Sequence, residues 1–189
     1  DWFGCGIVVD GLGFVLNNAM SDFSAKPGAL TSQGLTYGDA NSIQGGKTPL
    51  SSMAPSMVFK NGQPFLAIGA AGGPRIITGT VQGIVNAVDF GMLPEQLVRQ
   101  PYVNCLTRAQ GLEVEFGISE DTLRLLEEKG HNPIRIPVGE AMSTMLNSVM
   151  YVDGEYYAAG TQRVDGCGGA LLADGHIVLD GISQEDVFA

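Results

Sequence analysis

The chain reads as an α+β protein built on antiparallel sheet, on the strength of two observations. Turn dipeptides flanked by apolar and β-branched residues recur along its length, and two segments carry helical apolar spacing with helix punctuation. The hairpin signals are Val8-Val9-Asp10-Gly11-Leu12, Val58 to Leu66 around Asn61-Gly62, Tyr151 to Tyr156 around Asp153-Gly154, and Leu172 to Val178 around Asp174-Gly175. Asp-Gly and Asn-Gly accept the positive φ angles of tight hairpin turns. The first helix is predicted over Arg75 to Phe90, where Ile76, Ile77, Val81, Ile84, Val85 and Val88 recur at helical spacing. Pro74 suits its first turn and Gly91 its end. The second starts at an N-cap Ser119, carries Glu120 and Asp121 in its first turn and closes at Gly130 after Lys129. A shorter helix is predicted around Pro94 to Gln100. Hairpins dominate and no repeat or low-complexity linker interrupts them, so a single domain over 1–189 with helices covering a sheet face is expected.

Composition narrows the function classes. Hydrophobic residues make up 44% and charged residues 16%, as in globular chains. The formal charge is -10, and the ten Lys and Arg do not cluster, which speaks against nucleic acid and anionic membranes as partners. No apolar run approaches the roughly 18 residues of a membrane span, and no leader peptide is visible. Cys5, Cys105 and Cys167 lack disulfide or metal spacing and are expected as small buried hydrophobes. His131 and His176 are expected at the surface, and Glu127-Glu128 on a solvated helix face. Neither a metal site nor a cofactor site is indicated.

Three stretches could carry chemistry. In Ile68 to Arg75, a strand runs into Gly72-Gly73, then Pro74 and a helix. Glycines there can turn backbone N–H groups outward at a positive helix end, as an anion or oxyanion requires, or can simply form a tight turn. Ser51-Ser52, ahead of a strand, could hydrogen-bond a carboxylate or cap a turn. No G-x-S-x-G or basic partner makes either serine a nucleophile. In Leu16 to Ser24, Asp22 could bind an ammonium group, or join Asn17 and Asn18 in Asx turns and caps.

In this order the three stretches resemble the small subunit of the γ-glutamyltranspeptidases. The resemblance is carried by Leu16-Asn17-Asn18-Ala19-Met20-Ser21-Asp22-Phe23-Ser24 with Pro27-Gly28, by Pro49-Leu50-Ser51-Ser52-Met53-Ala54-Pro55, and by Gly72-Gly73-Pro74-Arg75-Ile76-Ile77-Thr78. Asp39-Ala40-Asn41 and Lys47 also fall where that family has similar residues. The resemblance implies a four-layer αββα N-terminal-nucleophile hydrolase fold, here partial, with stacked antiparallel sheets flanked by helices. It implies a self-cleaving precursor whose new N-terminal threonine takes the γ-glutamyl group of glutathione or a related donor. That group then passes to water, an amino acid or a peptide. Carried over by position, Asp22 binds the glutamyl α-ammonium, Ser51 and Ser52 hold its α-carboxylate, and Gly72 and Gly73 form the oxyanion hole.

The chain also departs from that pattern. No threonine precedes Thr31, so the nucleophile is expected outside these 189 residues, and the chain by itself is expected to be inactive. The large subunit of the precursor is the expected partner, and self-association of the chain alone is expected if sheet edges are left bare. Ala19 replaces an amide or acid, Ala70-Ala71 a more polar lead-in, and the tail after Arg163 has no family explanation. A periplasmic or extracellular location is common in the family. Two alternatives follow from the same residues: a glutaryl or cephalosporin-type acylase, which does not need Asp22, and a non-enzymatic glutamate-binding or assembly module.

Overall fold

The computed structural model describes residues 4–31, 34–107, 111–136, 144–161 and 163, and the backbone of 169–171 and 177–179. It divides into two compact units, Asp1–Ser51 and Ser52–Ala189.

The first unit is made of turns. Short 3-10 helices span Ala19–Asp22 and Asp39–Asn41. The Asp10-Gly11 signal forms a tight turn with Gly11 at φ 73°, closed by Val9 N–H to Phe14 O at 3.0 Å. It yields an isolated bridge between Val8 and Val15, not paired strands. Phe23 and Ser24 are buried here. Ser24 N–H donates to Asn41 O at 2.8 Å and Ser24 Oγ donates to Gly38 O at 3.1 Å, so the two helical turns are drawn together.

In the second unit, strands β1 (Ser56–Lys60) and β2 (Gln63–Ala71) precede helices α1 (Arg75–Val88) and α2 (Pro94–Arg99). Then come β3 (Val103–Asn104), β4 (Leu112–Glu115), α3 (Glu120–Glu128) and β5 (Pro133–Ile136). The series ends with β6 (Met145–Val152), β7 (Glu155–Ala159), β8 (Gly169–Leu171) and β9 (Ile177–Leu179). An antiparallel sheet has the order β1-β2-β6-β7. Both of its hairpins turn where expected, with Asn61 at φ 53° and Asp153 at φ 51°. Strands β8 and β9 also pair antiparallel; the Asp174-Gly175 turn and His176 lie outside the described residues. The third sheet departs from the expectation, because β4 pairs with β5 in parallel. The α3 crossover permits it, since parallel strands need a long connection.

One face of the β1-β2-β6-β7 sheet carries the core. Leu66, Ile68, Leu146 and Met150 are buried with Ala87, Leu97 and Tyr102 against α1 and α2. The face of α1 that packs differs from the one its aliphatic spacing suggests. Ile76, Gly79, Thr80, Gly83 and Ala87 are buried, whereas Ile77, Val81, Val85 and Val88 are exposed. Close approach explains this. A Cβ on Gly79 would lie 2.1 Å from Thr144 Cγ2, and one on Gly83 would lie 2.6 Å from Ile68 Cδ1. The two glycines let the helix backbone sit directly on the side chains of Thr144, Ile68 and Leu146.

The opposite sheet face is open. Met57, Ala67, Val149 and Ala158 are in register across the four strands, and Met57 and Val149 are exposed. A hollow of about 680 Å³ lies on this face, lined by Pro55, Gly69 and Asn147 among others. Cys5 and Cys105 are exposed free thiols, which corrects the expectation that they are buried. Both sit in connecting segments, where their size and polarity do not select for burial. Cys167 lies outside the described residues.

Candidate active site

Asp22 ends the Ala19–Asp22 helical turn and is half-buried. That turn is started by Asn17, whose Oδ1 accepts the Ala19 N–H at 2.9 Å as an Asx turn does. Burial of Phe23 and Ser24 anchors the residues just after it. The Asp22 carbonyl accepts from Asn41 Nδ2 at 2.7 Å. Burial, and then the charge of Asp22, push the Tyr37 phenol above its ordinary value. A phenolate at Tyr37 is therefore opposed.

Asn41 also reaches the serine segment. Its Oδ1 accepts the Leu50 N–H at 2.9 Å, immediately before Ser51. The two amide bonds together fix which end of the Asn41 side chain is nitrogen and which is oxygen. Asp22 and Ser51 thus lie on two loops of the first unit that share one clamp. Ser51 is exposed. Ser52 begins the second unit and is half-buried, in the segment that leads to β1.

Gly72 and Gly73 lie in that second unit, between β2 and α1. Their φ angles are 134° and 59°, and the former is open to glycine alone in practice. Gly72 O accepts from Arg75 N–H at 3.3 Å and Gly73 O from Ile76 N–H at 3.1 Å. A trans peptide points its N–H opposite its carbonyl. With Gly72 O turned into α1, the Gly73 N–H points away from the helix. Pro74 has no N–H, so none competes with it. The α1 dipole adds partial positive charge. An outward N–H at a positive helix end can donate to an oxyanion or a carboxylate.

A polar network holds the start of α1. Arg75 donates from Nε to Glu113 Oε2 at 2.7 Å and from its terminal nitrogen to Glu113 Oε1, a bidentate pair. Asn104 Nδ2 donates to Glu113 Oε2 at 2.9 Å, and Thr78 Oγ1 donates to Asn104 Oδ1 at 2.7 Å. Gln82 pairs with the Val103 backbone as a strand neighbour would, at 2.7 and 3.1 Å. Burial works to raise the Glu113 carboxyl, but the Arg75 and Asn104 hydrogen bonds and the Arg75 charge outweigh it and hold it below its ordinary value. The sign follows: the stability this pair contributes is present above the unfolded carboxyl pKa, about 4.3, and is lost as pH falls through the lowered folded value. Glu113→Gln is therefore expected to flatten the acid limb of a Tm-against-pH curve. An unchanged acid limb would show that Glu113 carries no such linkage.

A second ion pair lies deeper. Arg163 donates to both carboxylate oxygens of Glu115, at 3.1 and 2.5 Å, and to the carbonyls of Val98 and Gln100 at 2.6 and 2.7 Å. The side chains are 6% and 1% exposed. The Arg163 guanidinium lies 4.9 Å over the Tyr102 ring, and Tyr102 N–H donates to Glu115 at 3.0 Å. Burial, opposed by Arg163 and reinforced by Glu115, raises the Tyr102 phenol well above its ordinary value. Sequence reasoning missed both pairs. Their one local signal is Glu113-Val114-Glu115, where two acids share a face of a short strand with an apolar residue between.

Among the described residues no cluster of His, Cys, Asp or Glu could hold a metal ion, and no helix is long and apolar enough to cross a membrane. His131 is exposed, as are Glu127 and Glu128.

The sequence profile of the family described as gamma-glutamyltranspeptidase matches residues 1–171. A glutathione hydrolase proenzyme of Escherichia coli is 43% identical over 161 residues, which cover 85% of this chain and 27% of that protein. The chain thus spans about a quarter of the length of such relatives. A γ-glutamyltranspeptidase mutant from Helicobacter pylori superposes with TM-score 0.73 at 36% identity, covering 85% of this chain and 87% of that one. A cephalosporin acylase from Bacillus halodurans gives TM-score 0.68 at 25% identity, covering 86% of this chain and 28% of that one.

Proposed function

Because the chain belongs to the γ-glutamyltranspeptidase family and has its α+β, N-terminal-nucleophile hydrolase fold, we propose that it supplies the donor-binding and oxyanion groups of a γ-glutamyl-transferring hydrolase. The observation that carries this reading is the Asn41 clamp, which holds the Asp22 loop and the Leu50-Ser51 loop at once. A γ-glutamyl group bears an ammonium and a carboxylate on one carbon, and it needs an anion and hydroxyl donors held as a set. Asp22 takes the ammonium, Ser51 and Ser52 the carboxylate. Gly72 and Gly73 donate to the oxygen that becomes negative when a nucleophile adds to the γ-carbonyl.

The nucleophile in this reading is a threonine outside the 189 residues, freed by cleavage of a precursor, with its own amine as base. Its oxygen bonds to the γ-carbonyl carbon, the donor's amine leaves with a proton, and water or an acceptor amine releases the glutamyl group. Glutathione is the donor class. The rest of the precursor is the partner, and its seat is the open face of the β1-β2-β6-β7 sheet, where Met57, Val149, Tyr151 and Tyr156 are exposed. Left bare, the same face would favour self-association of this chain alone.

The experiment is mass spectrometry with a γ-glutamyl-anilide assay on protein expressed from the complete gene. Cleavage before a threonine upstream of Asp1, with release of the anilide, is the expected result. An intact precursor and an uncleaved anilide would leave a binding or assembly module. The likeness to the cephalosporin acylase supports a second reading, an acylase for side chains without an ammonium. Faster turnover of a glutaryl anilide than of the γ-glutamyl anilide would select it.

A further inference from the structure

We propose that Asn41 is a positioning residue that sets the separation between the ammonium-binding and carboxylate-binding loops, and so couples recognition of the two charged groups of the donor. The inference rests on the function proposed above. Asn41 makes three bonds to the two loops: Nδ2–H to Asp22 O at 2.7 Å, Leu50 N–H to Oδ1 at 2.9 Å, and Ser24 N–H to its own carbonyl at 2.8 Å. Its backbone is held in turn by a 3-10 turn, with Asn41 N–H donating to Gly38 O at 3.1 Å. The residues after it are braced too, by Lys47 Nζ donating to Ser42 O at 3.2 Å.

The chemistry of the donor makes that separation matter. Its ammonium and carboxylate are one carbon apart and cannot adjust to a widened site. One planar amide bonding a backbone carbonyl on one loop and a backbone N–H on the other leaves the loops little freedom to slide. Removing it lets each loop keep its own binding group while the pair drifts. A ligand held by a single charged group does not sense that drift, whereas one held by both does.

The test uses the complete, self-cleaved protein. L-glutamate, glutarate (no ammonium) and 4-aminobutyrate (no α-carboxylate) serve as competitive inhibitors of γ-glutamyl-anilide cleavage. Asn41→Ala is expected to raise the inhibition constant of L-glutamate about 10- to 100-fold, the loss of two hydrogen bonds. The constants for glutarate and 4-aminobutyrate should move by less than about 3-fold, since each ligand senses only one loop. KM for the anilide should rise with the L-glutamate constant, and kcat should change far less. Asn41→Asp keeps the size and the acceptor for Leu50 but places an oxygen against the Asp22 carbonyl. It should raise the L-glutamate constant likewise, and it stands in if Asn41→Ala is not processed. An equal rise for all three ligands, an unchanged L-glutamate constant, or a fall in kcat alone would overturn the inference and leave the function reading intact. If the unaltered protein is not inhibited by L-glutamate at all, the function reading fails and this inference with it.

Discussion

Asp22→Ala is expected to lower kcat/KM for a γ-glutamyl anilide by roughly 30- to 1,000-fold, nearly all of it through KM. The range corresponds to about 2–4 kcal/mol, the usual cost of truncating one partner of a hydrogen-bonded charge pair. The ammonium is remote from the reacting carbonyl, so its contact is made equally in ground state and transition state, and such uniform binding appears in KM. Asp22→Asn keeps an acceptor without the charge and should fall between. A glutaryl anilide carries no ammonium, so its kcat/KM should change little in either variant. Equal losses on the two anilides would show that Asp22 shapes the loop and does not read the ammonium. Damage to the loop is separable from loss of the charge, because Asn17, Phe23 and Asn41 hold it through contacts that do not use the Asp22 carboxylate.

The largest stability effect is expected at Arg163. Arg163→Ala should cost about 3–5 kcal/mol, as breaking a buried ion pair does, because it leaves Glu115 charged and enclosed. For a chain of this size that is a fall in Tm of about 6–20 °C. The Val98 and Gln100 carbonyls lose their donors as well, and Tyr102 loses a cation over its ring. Replacing both charges, as Arg163→Met with Glu115→Leu, should recover part of the loss, since no orphaned charge remains, though the Tyr102 N–H then lacks its acceptor. Thermal unfolding of the three variants checks this. A change below about 0.5 kcal/mol for Arg163→Ala, the usual range of surface substitutions, would place the pair in water and sink the prediction.

What the sequence determined by itself was whatever neighbouring residues decide among themselves. The β1-β2 and β6-β7 hairpins follow from Asn61-Gly62 and Asp153-Gly154, because only a few residue types adopt those φ angles cheaply. Helix α3 starts where Ser119 Oγ accepts the Thr122 N–H at 3.2 Å, a contact within one turn. Helix α1 begins at Arg75 as expected and ends two residues short of Phe90. The order of the Asp22, Ser51-Ser52 and Gly72-Gly73 stretches pointed to the family before any fold was in view. Tertiary structure alone decided the rest. Apolar spacing marked α1 as a helix but not which side it buries. On that side Gly79 and Gly83 stand where the side chains of Thr144, Ile68 and Leu146 come too close for a Cβ. The parallel β4-β5 pairing depends on a crossover that no local pattern encodes. Arg75 with Glu113 and Arg163 with Glu115 meet across 38 and 48 residues, and burial of a charge is legible only once its partner is placed. Asn41 stood in the sequence as one similar residue among several. Its clamp became visible only when the chain brought Asp22 and Leu50 to the two ends of one amide.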